Sequence, residues 1–263
     1  MKIKNYLKVS GLEEAYTLLQ EDKNNIIIGG GAWLKLTNKE VETMIDLENL
    51  KLNQIIEIGD SIAIGAMTTL RDIELNESLN HVDGGILVKA LKGIMGISIR
   101  NIATIGGSIM GKYSFSDVLT PLSVMDVELE FYKAGMMPLS EFMAMRSIND
   151  ILLNVIIKNR KSEGYFYSMK KTSLDFAVIN VAITKNELYD IAIGARPSLC
   201  MKPVKAIEYL NKQSKLNPEK IEIAVQLAIE ETKFGTNSRA SGEYREDIAA
   251  VYIKRGINEV TKL

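Results

Sequence analysis

Two glycine runs constrain this chain more than any other feature of it. Asn25-Ile26-Ile27-Ile28 leads directly into Gly29-Gly30-Gly31. About 75 residues later, Arg100-Asn101-Ile102-Ala103-Thr104-Ile105-Gly106-Gly107-Ser108-Ile109 joins a charge, alternating apolar positions, a hydroxyl and a glycine pair. Without a Cβ, a glycine backbone can come close to whatever lies beside it. Amide N–H groups bared at such a turn, next to a threonine hydroxyl, can hold a phosphate oxygen or the polar edge of a cofactor. A single glycine pair reads most simply as a tight turn. Two such runs, each following an apolar stretch, point to one extended ligand held by two loops.

The bulk properties narrow the ligand class. With 32 Lys+Arg against 33 Asp+Glu, the chain gives no electrostatic reason to expect nucleic acid or an anionic membrane as partner. Met1 to Lys8 holds basic residues but no apolar core of signal-peptide length, and no run reaches about 18 apolar residues, so the expected location is the cytoplasm. One cysteine, Cys200, and one histidine, His81, cannot build an intramolecular disulfide, a four-cysteine iron–sulfur cluster or a Cys/His zinc cage. His81 lies in the polar segment Asn-His-Val-Asp and reads as a solvated loop residue. Redox chemistry in such a chain requires a bound organic cofactor.

At 263 residues the chain has room for two domains. Residues 2–9 read as a strand, and Ser10-Gly11-Leu12-Glu13 has capping-box spacing ahead of a helix with Leu12, Ala15, Leu18 and Leu19 on one face. Ile26 to Ile28 reads as a buried strand entering the first glycine turn, with a helix after it. A strand over 42–47, a hairpin over 54–58 and 61–65, and helices over 68–76 and 84–95 lead to the second glycine motif. Ser116-Asp117 can cap a helix reaching about Met125, and strands follow at 127–132 and 151–157 with a helical piece over 139–145. The polar break Asn159 to Gly164 reads as a domain boundary. Beyond it stand strands over 165–169, 175–184 and 188–193, a helix opened by Pro203 at its first position, and helices over about 218–232 and 242–260.

Arg-Asn-x-Ala-Thr-Ile-Gly-Gly-x-Ile resembles the motif of the FAD-binding subunit in the xanthine dehydrogenase and carbon monoxide dehydrogenase family of molybdenum hydroxylases. Ile27-Ile28-Gly29-Gly30-Gly31-Ala32-Trp33-Leu34 is similar to that family's first flavin loop. Ile64-Gly65-Ala66-Met67-Thr68-Thr69 resembles its Ile-Gly-Ala-x-Thr-Thr segment. Gly164 through Asp175-Phe176-Ala177-Val178, and Ser241-Gly242-Glu243-Tyr244-Arg245, are similar to its carboxy-terminal domain. The resemblance implies an α+β chain: a two-subdomain, PCMH-type FAD-binding domain over 1–158 (subdomains about 1–52 and 53–158), then a small domain of antiparallel sheet plus helices over 164–263.

It also implies a division of labour. Ile27, Ile28, Gly29, Gly30, Gly31, Ala32, Trp33 and Leu34 would wrap the FAD pyrophosphate by backbone N–H groups. Thr104, Ile105, Gly106, Gly107 and Ser108 would meet the pyrophosphate and ribityl region from the other side. Asp117 would bond a cofactor hydroxyl, Leu152 would pack beside the cofactor, and Tyr165 or Tyr167 would reach the isoalloxazine. Ala32-Trp33 stands where the family has Thr-Asp, Ser108 where it has Asn, and Lys170 or Lys171 matches its flavin-side lysine only with a shifted alignment. Arg100 reads as a strut tying the loop to a carboxylate.

The implied role is electron transfer from iron–sulfur clusters on one partner subunit through FAD to NAD(+) or another acceptor, with the molybdenum cofactor on a second partner. A branch of the family with a 4Fe-4S insertion in this subunit does not fit one cysteine. Two other readings stay open from the residues alone: a flavin-poor assembly subunit, and a stand-alone nucleotide-binding enzyme.

Overall fold

Strand formation is clearest where apolar side chains alternate, as in Val127-Glu-Leu-Glu-Phe131, whose first, third and fifth side chains are buried. The computed structural model describes residues 1–263. In chain order it has β1 (Lys2–Lys8), α1 (Leu12–Glu21), β2 (Ile26–Ile28), β3 (Glu40–Asp46), β4 (Ile55–Ile58), β5 (Ser61–Gly65), α2 (Leu70–Leu75), α3 (Ile86–Lys92), α4 (Ile97–Arg100), α5 (Ile105–Met110) and α6 (Leu119–Ser123). Next come β6 (Val127–Phe131), β7 (Gly135–Pro138), α7 (Leu139–Ala144), β8 (Leu152–Lys158), β9 (Glu163–Met169), β10 (Ile179–Lys185), β11 (Tyr189–Gly194), α8 (Val204–Asn211), α9 (Pro218–Glu231) and α10 (Gly242–Thr261).

Two compact units divide the chain. The first takes Met1–Ile73, Gly96–Gly111 and Val127–Lys158. It holds a parallel sheet in the order β1-β3-β2 and an antiparallel sheet in the order β4-β5-β8-β6-β7. Ala15 and Leu19 of α1 join Val9, Ile45, Leu47 and Ile151 in one buried cluster. α1 starts at Leu12, one residue later than a Ser10 cap requires. Glu14, rather than Glu13, is therefore the third helical residue, and its carboxylate takes the Ser10 amide at 2.8 Å and hydroxyl at 3.1 Å. The expected helix after the first glycine turn is a single 3₁₀ turn, Leu34–Leu36, and β2 is a half-buried edge strand.

The second unit takes Glu74–Met95, Lys112–Asp126 and Asn159–Leu263. Its antiparallel sheet has the order β11-β10-β9. Alternate residues of β10 separate two environments. Ile179, Val181 and Ile183 join a core with Ala224 and Ala228 of α9 and Ile253 and Ile257 of α10. Asn180 and Thr184 point the other way, bonding to Asp117 and to the carbonyl of Val124. Asp83, Gly84 and Gly85 have positive φ, which delays α3 to Ile86. This turn lies so close to β9 that a Cβ on Gly84 would meet the Gly164 nitrogen at 2.6 Å. Residues 175–178, read as strand from sequence, precede β10, and Pro203 caps α8 from outside instead of opening it. β7 carries no apolar alternation and is an edge strand, hence its absence from the sequence reading.

Arg245, 1% exposed, anchors the start of α10 without any carboxylate. Its guanidinium donates to the carbonyls of Val178 (2.8 Å), Gly235 (2.5 Å) and Ala240 (2.8 Å) and to Asn237 Oδ1 (2.7 Å). Burial lowers its pKa. No helix is long and apolar enough to cross a membrane.

Candidate functional site

The first glycine turn closes β2 and presses directly on the second. A Cβ on Gly30 would lie 1.2 Å from the Ile102 carbonyl oxygen, and one on Gly29 would lie 2.4 Å from Thr104 Oγ1. Gly31 has φ +66°, a conformation that side chains rarely adopt. The glycines thus serve, first, the contact of one turn with the other. The two turns are in direct contact, Gly30 against the Ile102 carbonyl and Gly29 against the Thr104 hydroxyl.

The second turn is held from behind by the Ala66–Leu70 segment. Leu70 N–H donates to the Ala103 carbonyl at 2.8 Å, Ile105 N–H to Thr68 O at 3.0 Å, and Gly106 N–H to Ala66 O at 2.9 Å. Thr104 caps α5, its Oγ1 accepting from Gly107 N–H at 3.1 Å, while Ser108 N–H and Oγ both donate to the Thr104 carbonyl, at 3.0 and 2.8 Å. The amides of residues 105–108, expected to be bare, are all engaged inside the chain. Gly106 is required here because its Cβ would meet Ala66 O at 2.6 Å. Gly107 is exposed, with only Thr104 Oγ1 near its Cβ position. By contrast, the amides of Gly30, Gly31 and Ala32 make no hydrogen bond within the chain. The unengaged backbone donors of the two turns therefore lie in the first, which packs against the second. Ala32 is buried, Ile27, Ile28, Trp33 and Leu34 are half-buried, and Trp33 precedes the 3₁₀ turn. Arg100 is buried, 6% exposed.

In the second unit Asp117 is 6% exposed and caps nothing: Ser116 Oγ takes the amides of Val118 (3.2 Å) and Leu119 (3.0 Å). The Asp117 carboxylate faces the sheet. Its Oδ1 accepts from Ser168 Oγ at 2.9 Å and Asn180 Nδ2 at 2.7 Å, and Oδ2 pairs with Lys170 Nζ at 2.7 Å. Lys170 also donates to the Gly93 carbonyl at 2.5 Å. The sequence reading missed Ser168 and Asn180. Asn180 left a signal, as an amide inside the apolar run Val178 to Ile183.

The tyrosines fall on the opposite face of β9 from Ser168. Tyr165 belongs to the core beneath α10, and burial pushes its pKa up to about 12. Tyr167 stacks on Tyr252 of α10 with ring centroids 4.0 Å apart, and burial raises the Tyr252 pKa as well. Strand alternation turns both rings to the face of β9 that packs on α10, where Tyr165 is buried and Tyr167 stays exposed, and turns Phe166 and Ser168 toward the Asp117 side. Leu152, in the first unit, is buried at the start of β8, paired with Phe131. His81 is exposed. No group of three or more His, Cys, Asp or Glu side chains is placed to hold a metal ion.

The sequence profile of the FAD binding domain in molybdopterin dehydrogenase matches residues 1–158, and that of the CO dehydrogenase flavoprotein C-terminal domain matches residues 164–260. The chain is 26% identical to the nicotine 6-hydroxylase medium subunit of Paenarthrobacter nicotinovorans, over 97% of this chain and 96% of that one. It is 24% identical to the glyceraldehyde dehydrogenase medium chain of Sulfolobus acidocaldarius, covering 97% and 98%. Its fold matches a chain of the carbon monoxide dehydrogenase of Hydrogenophaga pseudoflava with a TM-score of 0.90 at 21% identity, over 98% and 97% of the two chains. With both profiles in chain order, medium subunits of oxidoreductases as full-length relatives and this fold, the chain belongs to the family of FAD-binding medium subunits of molybdenum hydroxylases.

Proposed function

We infer that this chain holds FAD in a cytoplasmic molybdenum hydroxylase, where electrons arrive from iron–sulfur clusters on a partner subunit and leave to NAD(+) or another acceptor. The observation that carries this reading is the turn at Gly30, Gly31 and Ala32, whose amides are free on a backbone packed against the second turn. Three adjacent N–H donors suit the diphosphate of a dinucleotide, which needs close approach rather than a side-chain charge. Asp117 keeps acceptor capacity for a cofactor hydroxyl. Bound FAD supplies the exchange between one-electron and two-electron transfer, and the chain's part is to hold and orient it. The single cysteine requires the clusters to sit on another chain. The substrate pocket belongs, in this reading, to the molybdenum-bearing partner.

A second reading, a flavin-poor assembly subunit, draws on the internal engagement of the 105–108 amides and of Ser108 Oγ. One experiment separates the two. The purified full chain is titrated with FAD and scored by flavin absorbance, then mixed with NADH without oxygen. Stoichiometric flavin uptake and bleaching by NADH are expected. A chain that takes up no flavin would establish the assembly role, and flavin that NADH leaves oxidised would point to a different acceptor.

A further inference from the structure

Asn180 stands fully buried in the middle strand of the second unit's sheet, where an apolar side chain would be the ordinary choice. Every polar atom of its side chain is bonded. Nδ2 donates to Asp117 Oδ1 at 2.7 Å and to the Ser116 carbonyl at 3.2 Å, and Oδ1 accepts from the Thr120 hydroxyl at 2.9 Å. Two acceptors on one side and a hydroxyl donor on the other admit a single orientation of the amide. The surrounding backbone makes room for it: Gly194, paired with Asn180 across the sheet, could not bear a Cβ, which would lie 2.3 Å from Asn180 Oδ1 and 2.1 Å from Thr120 Oγ1.

A buried amide is costly unless fully bonded, and replacing such a cluster with apolar groups can be neutral for stability. The cluster's effect is concentrated on one group. Asn180, Ser168 and Lys170 fill three of the roughly four acceptor sites of the Asp117 carboxylate and leave one on Oδ2. We propose that Asn180, oriented by Thr120, is a positioning residue that fixes the Asp117 carboxylate so that its remaining acceptor site receives a hydroxyl of the flavin cofactor. This rests on the reading of Asp117 as a cofactor partner.

The test is a double-mutant cycle on the flavin-stripped full chain, reading FAD affinity by fluorescence quenching and the bound flavin by visible circular dichroism. Asn180→Ala is expected to weaken FAD binding about tenfold and to alter the flavin dichroism, as Asp117→Asn does, whereas the double variant binds no worse than Asp117→Asn alone. Thr120→Val follows the same route if Asn180→Ala does not fold: it weakens FAD binding in the native chain and has no further effect in the chain already carrying Asp117→Asn. Additive losses, or unchanged affinity in the folded variants at these two positions, would overturn the positioning role. If Asp117→Asn itself leaves affinity intact, the assignment of Asp117 to the cofactor is wrong and the role of Asn180 falls with it.

Discussion

Gly30 and Gly107 look interchangeable in the sequence and differ sharply in space. Gly30→Ala would drive a methyl into the Ile102 carbonyl oxygen, a backbone atom that cannot swing aside, so a loss of about 3 kcal/mol in urea unfolding is expected together with loss of flavin. Gly107→Val meets only the Thr104 hydroxyl, so the fold should survive while flavin uptake fails, which equilibrium dialysis would read. Tyr165 gives a pH signature. An acid whose folded pKa is raised, here from 10.0 to about 12, leaves stability untouched below pH 10 and removes it as the unfolded chain ionises first between those values. The unfolding free energy should fall across pH 10–12, and Tyr165→Phe should flatten that slope. The two glycine turns could be read from the sequence, because glycine runs are unusual directly after apolar stretches. Which amides were free could not, since it depends on the Ala66–Leu70 segment packing behind the second turn.

Helix α10 meets the sheet at a glycine. A Cβ on Gly256 would come within 2.5 Å of Tyr165 Cδ1 and 2.8 Å of Ile183 Cδ1. Gly256→Ala gains about 1 kcal/mol in helix propensity, yet the clash wins, and a net loss of about 1–2 kcal/mol in thermal unfolding is expected. Asn217 caps α9, its Oδ1 accepting from Lys220 N–H at 2.9 Å, so Asn217→Ala should cost about 1 kcal/mol by the same measurement. Most elements were legible because apolar periodicity and capping residues mark them. The misreadings have local causes: left-handed residues at 83–85 shorten α3, and an edge position hides β7.

Chain order and packing order diverge in the molecule as a whole. The polar break after Lys158 separates the two family profiles, but Glu74–Met95 and Lys112–Asp126 pack with the residues beyond the break. α6, from the second of these segments, lies against β10 and β11. A fragment of residues 159–263 should therefore expose the Asn180 and Thr184 face of β10, bind a hydrophobic dye and give poorly dispersed amide resonances. A well-dispersed spectrum from that fragment would show that the break is a true domain boundary. No single-sequence pattern could reveal this sharing, since it depends on contacts across more than 40 residues of chain.

The seam where Gly29 and Gly30 rest on Ile102 and Thr104 has an evolutionary corollary. Where a bare peptide touches a carbonyl at Gly30 and a short hydroxyl side chain at Gly29, little slack is left to absorb a change in either turn, so the two should tolerate exchange only as one part. Grafting one turn from the nicotine 6-hydroxylase relative should yield misfolded protein, and grafting both together should restore a folded chain.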